Sequence, residues 1–245
     1  MNRHRAAAIH LSLSAVIGSA VLGLILLLWY PGAWFESMGG KELIFLLTGV
    51  DIVLGPLLTW IIFRPGKKGL KFDLIFIACL QVSALLYGLH TVFVARPVFM
   101  VFVVDQFRAV TAIELDDVPL EKLPHPEFRR LPINGPKIAD SFLPSDKVKR
   151  EELMMKALSG IDLHQLPEYW KPYAGKDALR IAQPLDVLRS FAPGNSAVID
   201  GFLGKHDKTE KSLRFVPLRT RHKEMATLIE ADSGTVVGII DAKPW

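Results

Sequence analysis

"GVDIVLGPLLTW" (residues 49–60) lies inside an apolar run, yet it carries Asp51 and a Gly55-Pro56 pair near its middle. How this stretch is read decides the fold. As a membrane span it pays a penalty, because an aspartate at a helix centre costs about 2.5–3.5 kcal/mol on insertion scales. Proline also removes a backbone hydrogen bond and clashes with the preceding turn. Such residues persist inside membranes when they face protein and find partners. The surrounding run extends over 43–63 and is flanked by further apolar runs at 6–30 and 74–95. Each is long enough at 1.5 Å per residue to cross a hydrocarbon core of about 30 Å. The expectation is three transmembrane helices, with Gly55-Pro56 kinking the second.

Depth suggests a partner for Asp51. It lies about eight residues, or roughly 12 Å, below the outer end of its helix, and His90 lies about five residues, or roughly 8 Å, below the outer end of the third. An Asp51–His90 contact is therefore expected, with Gln81 deeper and a poorer match. Such a pair would be a proton or ion site, or a polar lock between helices. The scarcity of other polar residues in the spans favours the lock. The first run ends in "WYPGAWF" (29–35), which puts aromatics at a membrane interface and argues for a retained helix rather than a cleaved signal. His10 sits near its basic end, within reach of the interface. Ser12, Ala15, Ser19 and Gly23 form a small-residue stripe suited to close packing, against the other spans or against a foreign helix.

Short loops set the orientation. Arg3 and Arg5 precede the first run, and Arg64, Lys67, Lys68 and Lys71 follow the second, whereas the loop between them holds Lys41 against Glu36 and Glu42. The positive-inside rule places the N-terminus and the 64–72 loop in the cytoplasm and residues 96–245 across the membrane, in the periplasm of a bacterium with two membranes. The expected domains are a membrane domain, 1–95, and an extracytoplasmic domain, 96–245. Half of the 245 residues are hydrophobic and the mean hydropathy is +0.29. Of 29 Lys and Arg, 22 lie after residue 95 against 21 Asp and Glu there, a balance that argues against a nucleic-acid partner.

The outer domain is expected to be α+β. "VFMVFVV" (98–104) has the composition of a buried strand. Residues 113–146, rich in Pro and charge, are expected to form loops and short pieces. "SDKVKREELMMKALSG" (145–160) is a helix capped by Ser145 and ended by Gly160. "KDALRIAQPLDVLRSF" (176–191) is helical and broken near Pro184. "EMATLIEA" and "TVVGIID" flank "DSG" as an antiparallel C-terminal hairpin.

Catalytic patterns are weak. "GNSAV" (194–198) lacks the second glycine of a nucleophile elbow and is expected to be a surface turn. His125, His164, His206 and His222 are scattered and expected to be exposed, and "HQLPE" (164–168) is not a zinc-protease motif. The single cysteine, Cys79, rules out an intrachain disulfide and is expected to be a small buried hydrophobe. No enzyme activity, cofactor or metal is expected.

"GVDIVLGPLLTWIIFRPGKKGLKFDL" (49–74), "ARPVFMVFVVDQF" (95–107), the stretch Leu131–Pro136, and the ending at Phe215–Arg221 and Ser233–Ile239 together resemble the type IV pilin accessory proteins of the TfpX/TfpZ kind. The resemblance spans nearly the whole chain. It implies an inner-membrane protein that assists assembly or regulation of type IV pili, with the cognate major pilin as partner and other pilus assembly proteins as further candidates. It carries no catalytic residues. A membrane-anchored sensor with a ligand-binding outer domain is the alternative, and a small transporter or membrane enzyme a more distant one.

Overall fold

A computed structural model describes residues 2–40, 44 and 50–245. Helix α1 (Arg3–Leu24) runs on into a π-helical turn, Ile25–Trp29. A short helix, α2 (Trp34–Ser37), follows. Most of the first half of the 43–63 run falls outside the described residues. From Val50 to Leu54 the chain is wound as a π-helix, and at Gly55 it becomes α-helical as α3 (Gly55–Ile62), with Pro56 in its first turn. Proline cannot donate to the ladder, so the winding changes where its donor is missing. Helix α4 (Leu70–Val94) completes the apolar part. Two helices, Arg3–Trp29 and Leu70–Val94, are long and apolar enough to cross a membrane, while Ile52–Ile62 is a shorter apolar helix. The expected third full span is not seen among the described residues. Cys79, expected to be buried, faces outward on α4.

The rest is a mixed sheet domain. Its strands are β1 (Pro97–Val103), β2 (Gln106–Thr111), β3 (Lys137–Ser141), β4 (Trp170–Pro172), β5 (Gln183–Pro184), β6 (Leu213–Arg219), β7 (Glu224–Glu230) and β8 (Val236–Ile240). The order is β4-β3-β1-β2-β6-β7-β8, with β5 beside β6. β1 and β2 are antiparallel, whereas β1 with β3 and β2 with β6 are parallel. The C-terminal hairpin forms as expected, β7 against β8. The helices are α5 (Lys147–Leu158), α6 (Lys176–Ile181), α7 (Leu185–Phe191) and α8 (Asn195–His206). Asp146, not Ser145, caps α5, its carboxylate accepting from the Val148 amide at 2.8 Å.

β1 is buried along its whole length, and its alternation assigns two cores. Met100 and Phe102 face one side, where Ile25, Trp29, Tyr30, Trp34 and Met38 join Val216, Leu218 and Met225. Phe99, Val101 and Val103 face the other, against Leu115, Phe128, Leu163 and Trp170. Beneath β6–β8, Leu188 and Ile199 of α7 and α8 pack on Phe215 and Leu228. The sheet is strongly curled. Met100 of β1 lies 4.0 Å from Thr227 of β7. The Tyr173 hydroxyl, just past β4, donates to the Gly234 carbonyl in the β7–β8 turn at 2.6 Å, so the two ends of the strand order meet.

The β1–β2 turn holds Val104 at φ 56, in the left-handed region, with its side chain 68% exposed. That conformation costs a residue with a Cβ about 1–2 kcal/mol, against about 0.5–1 kcal/mol of extra chain entropy for glycine. Val104→Gly should therefore raise stability by about 0.5–1 kcal/mol, read as a higher melting temperature of the detergent-solubilised chain. A lower one would mean that the valine methyls make a contact worth more than the strain.

Candidate functional site

Two adjoining regions carry the features that the sequence singled out: a polar seam between the apolar helices, and the junction where α1 and α4 enter the sheet. In the seam, α1 packs antiparallel on α3. The His10 ring Nδ1 and the Thr59 hydroxyl share a hydrogen bond of 2.6 Å, so His10 turns inward rather than toward an interface. Ser14, Gly55, Pro56 and Thr59 are buried. A Cβ on Gly18 would come within 3.9 Å of the Ile52 side chain. At the helix end, the Arg3 guanidinium lies 4.9 Å from the Trp60 ring, whose indole N–H donates to His4. Gln81 of α4 lies across Gly55 so closely that a Cβ there would fall 2.0 Å from its amide nitrogen. A cavity of about 110 Å³ opens between His10, Ser14 and Gln81. Hydrogen bonds of this kind across apolar helices contribute about 0.6–1.7 kcal/mol each and fix depth and rotation.

The Asp51 side chain lies outside the described residues, so the expected Asp51–His90 contact has no description; His90 itself is exposed on α4. Gly55 and Pro56 are brought into the seam with Gln81, the residue whose depth made it the poorer match. The stripe divides: Ser12 and Ser19 face outward, and Ala15 and Gly23 are half-buried, with open space where a Gly23 Cβ would stand. The face of α1 turned to α3 is instead Ala6, His10, Ser14 and Gly18, spaced by four. That spacing is visible in the sequence, and its polar His10 and Ser14 were the signal.

The junction rests on "WYPGAWF", whose aromatics enter the sheet core rather than lining an interface. Trp29, Tyr30 and Trp34 are buried, and the Tyr30 hydroxyl donates to the Val92 carbonyl of α4 at 2.8 Å. Burial, the dominant cause, pushes the Tyr30 phenol well above its ordinary range despite Arg96 and Arg221 nearby. The Ser37 carbonyl accepts from the Thr220 hydroxyl at 2.7 Å and the His222 amide at 3.3 Å. Glu36 pairs with Lys223 at 3.5 Å. Gly39, at φ 77, admits the His222 ring, which a Cβ would meet at 2.8 Å. On the α4 side, buried Arg96 donates to the Phe93 carbonyl at 2.7 Å and to the Pro132 carbonyl at 3.4 Å, its guanidinium 3.8 Å from the Phe93 ring. Each helix thus enters the domain through buried, hydrogen-bonded residues, a joint that resists swinging.

Two further expectations are corrected. "GNSAV" is the start of α8, not a surface turn. Asn195 is buried, donates to the Leu188 and Lys243 carbonyls, and accepts from the Lys243 amide, pinning the C-terminal segment. His164, expected to be exposed, is buried; its Nδ1 has no hydrogen-bond partner among the described residues and lies 3.6 Å from the Asp162 carboxylate.

Residues 1–39, which are α1 and most of the segment docked on the sheet, match the family described as Fimbrial assembly protein FimB. The fimbrial assembly protein of serogroup I from Dichelobacter nodosus is 35% identical over 244 residues, covering 96% of this chain and 93% of that protein. The chain belongs to the fimbrial assembly protein family. A second member, of serogroup E1 from the same organism, is 36% identical over 194 residues, covering 77% of this chain and 74% of its own length. No solved structure matches. Within this fimbrial assembly protein, the family match ends where the 29–40 segment meets the β6–β7 turn, so its boundary follows a packed structural unit.

Proposed function

We propose that this fimbrial assembly protein is an inner-membrane accessory factor of type IV pilus biogenesis that holds the cognate pilin before or during its assembly. Family membership supports a role in fimbrial biogenesis. The observation that carries the finer reading is the joining of two long apolar helices, bare on their outer sides, to a sheet domain through a rigid junction. Ile9, Leu13, Val16 and Leu27 of the first helical run, and Phe76, Leu80 and Tyr87 of α4, are exposed. In water such surfaces are unfavourable; in lipid they are not, and they suit contact with another apolar helix. A pilin subunit with one apolar helix and a globular head would meet helices with the first and the sheet domain with the second. The bare outer faces of α1 and α4 would form the groove that receives the pilin helix, and Gly55-Pro56 shapes it from behind, by setting how α1, α3 and α4 pack. By the positive-inside rule the sheet domain lies in the periplasm.

Photocrosslinking in cells tests this reading. A crosslinking residue at Ser12 or Ser19, on the open side of α1, should yield pilin adducts. The same residue at buried Ser14 should yield contacts within the chain. Adducts without pilin from every outward position would sink the pilin-holding reading.

A further inference from the structure

A cavity of about 460 Å³ opens beside the junction, lined by Arg108, Thr111, His164, Arg219, Thr220 and Arg221, with Met38 contributed by the docked segment. Its position follows from the register. β1 leaves α4 directly, and Pro97 pairs with Thr111, so β2 ends at the helix side of the domain. β6 runs parallel to β2 with Arg108 opposite Arg219, which sends Thr220 and Arg221 toward that same side. Arg221 lies near enough to Tyr30 for its charge to act on the phenol. Exposed Ile113 stands at the rim.

The lining is cationic: three guanidiniums face one carboxylate, Glu114. That carboxylate is committed internally, accepting from the Thr111 amide and hydroxyl at 2.7 and 2.6 Å and from the Gln165 amide at 3.0 Å. Arg108 pairs with Asp162 at 3.0 Å and Arg219 with Glu224 at a loose 3.7 Å, while Arg221 has no ion-pair partner among the described residues. The buried imidazole of His164 adds a polar wall, its charged form disfavoured first by burial and then by Arg108. Both threonine hydroxyls are already engaged, Thr111 with Glu114 and Thr220 with the Ser37 carbonyl, so the donors left for a ligand are the guanidiniums, Arg221 first among them. Guanidinium pairs with phosphate oxygens in a bidentate manner.

From this geometry we infer that the cavity seats the phosphate of an anionic phospholipid headgroup at the outer membrane–water boundary of the helices. The inference rests on the reading that the apolar helices span a bilayer. It would anchor the domain to the lipid surface beside the junction and fix its tilt over the groove proposed for pilin.

The test uses the full chain reconstituted in nanodiscs containing equimolar phosphatidylglycerol and phosphatidylcholine, with native mass spectrometry of the lipid retained on release. Phosphatidylglycerol should be enriched over phosphatidylcholine. Arg219→Gln and Arg221→Gln should each lower that enrichment about fivefold. Arg221→Lys, which keeps the charge and loses the bidentate fork, should fall between wild type and Arg221→Gln, a grading that separates lost binding from lost folding. Lys205→Gln on α8, outside the cavity, should leave it unchanged. Equal retention of both lipids by the inserted wild-type chain, or enrichment indifferent to both arginine substitutions, overturns the inference and leaves the bilayer reading standing. Displacement of the lipid by millimolar inorganic phosphate overturns the lipid source in favour of a soluble anion. Failure of the chain to enter nanodiscs at all overturns the bilayer reading beneath it.

Discussion

Gly234→Ala should lower the unfolding free energy of the domain by about 2–5 kcal/mol, the sum of a left-handed backbone penalty of about 1–2 and overpacking of about 1–3 kcal/mol. Gly234 sits at φ 72 in the β7–β8 turn, and Gly175 at φ 76 before α6. Their backbones touch. A Cβ on Gly234 would lie 2.4 Å from the Gly175 carbonyl oxygen and 2.9 Å from its Cα. No side-chain rotation relieves a clash with backbone, so the turn must move and the Tyr173–Gly234 hydrogen bond with it. That contact closes the curled sheet across its two ends, and its loss should be felt beyond the turn. The measurement is thermal unfolding of the detergent-solubilised chain followed by tryptophan fluorescence. Gly204→Ala is the internal reference, because Gly204 lies within α8 with open space around its absent Cβ. There alanine should be neutral or stabilising by up to about 1 kcal/mol. If both substitutions behaved alike, the glycine contact would not be what closes the sheet.

The same turn illustrates what the sequence carries openly. "DSG" between two β-rich runs announces a hairpin through local chemistry alone, and β1 announces itself through an unbroken β-branched and aromatic run. The break at Pro184 and the end of α5 at Gly160 are local in the same sense. Elements whose identity depends on distant partners were less legible. β3 lies in the Pro-rich "LPINGPKIADS" stretch and becomes a strand because β1 offers it a parallel partner, Met100 opposite Ile138. α8 contains Gly201 and Gly204, which weaken any helical signal, and it is held by Asn195 reaching the chain terminus. Within the helices, Asp51 and Gly55-Pro56 stand out as costly residues, so the position of the seam was readable. Its pairing was not, because helix rotation is set by packing: at about 100° per residue Ser12 and Ser19 lie on nearly the opposite face of α1 from His10 and Ser14, and the sequence offers small or polar residues on both faces. The buried His164 owes its place to the fold of the 113–170 region, which no periodicity reports.

Trp34→Ala should cost about 3–5 kcal/mol, the range for deleting a large buried aromatic. Its position makes the number informative. Trp34 precedes the sheet domain by some sixty residues and stands between the first two apolar runs, where composition alone calls it an interface aromatic. It is only 7% exposed, in one core with Met100, Phe107 and Leu218. If that packing holds, the domain formed by residues 96–245 loses stability through a substitution outside it. The transition seen by protease resistance of the sheet should then shift as far as the one seen by fluorescence. Trp245→Ala, at a position 49% exposed, should cost well under 1 kcal/mol and controls for the loss of a tryptophan as such. An interface tryptophan would behave otherwise, since its removal would leave the sheet's protease resistance intact and alter only the seating of the helix in detergent or lipid. The distinction bears on function. On the pilin-holding proposal, a sheet domain hung on a flexible loop would meet a pilin head at any angle, whereas one whose core includes the end of α1 holds its surface at a fixed height and tilt over the helices. Complementation of a deletion strain with Trp34→Ala should therefore lose piliation even where the protein still accumulates. Full piliation from an accumulating but protease-sensitive Trp34→Ala protein would mean that the rigid junction serves stability alone.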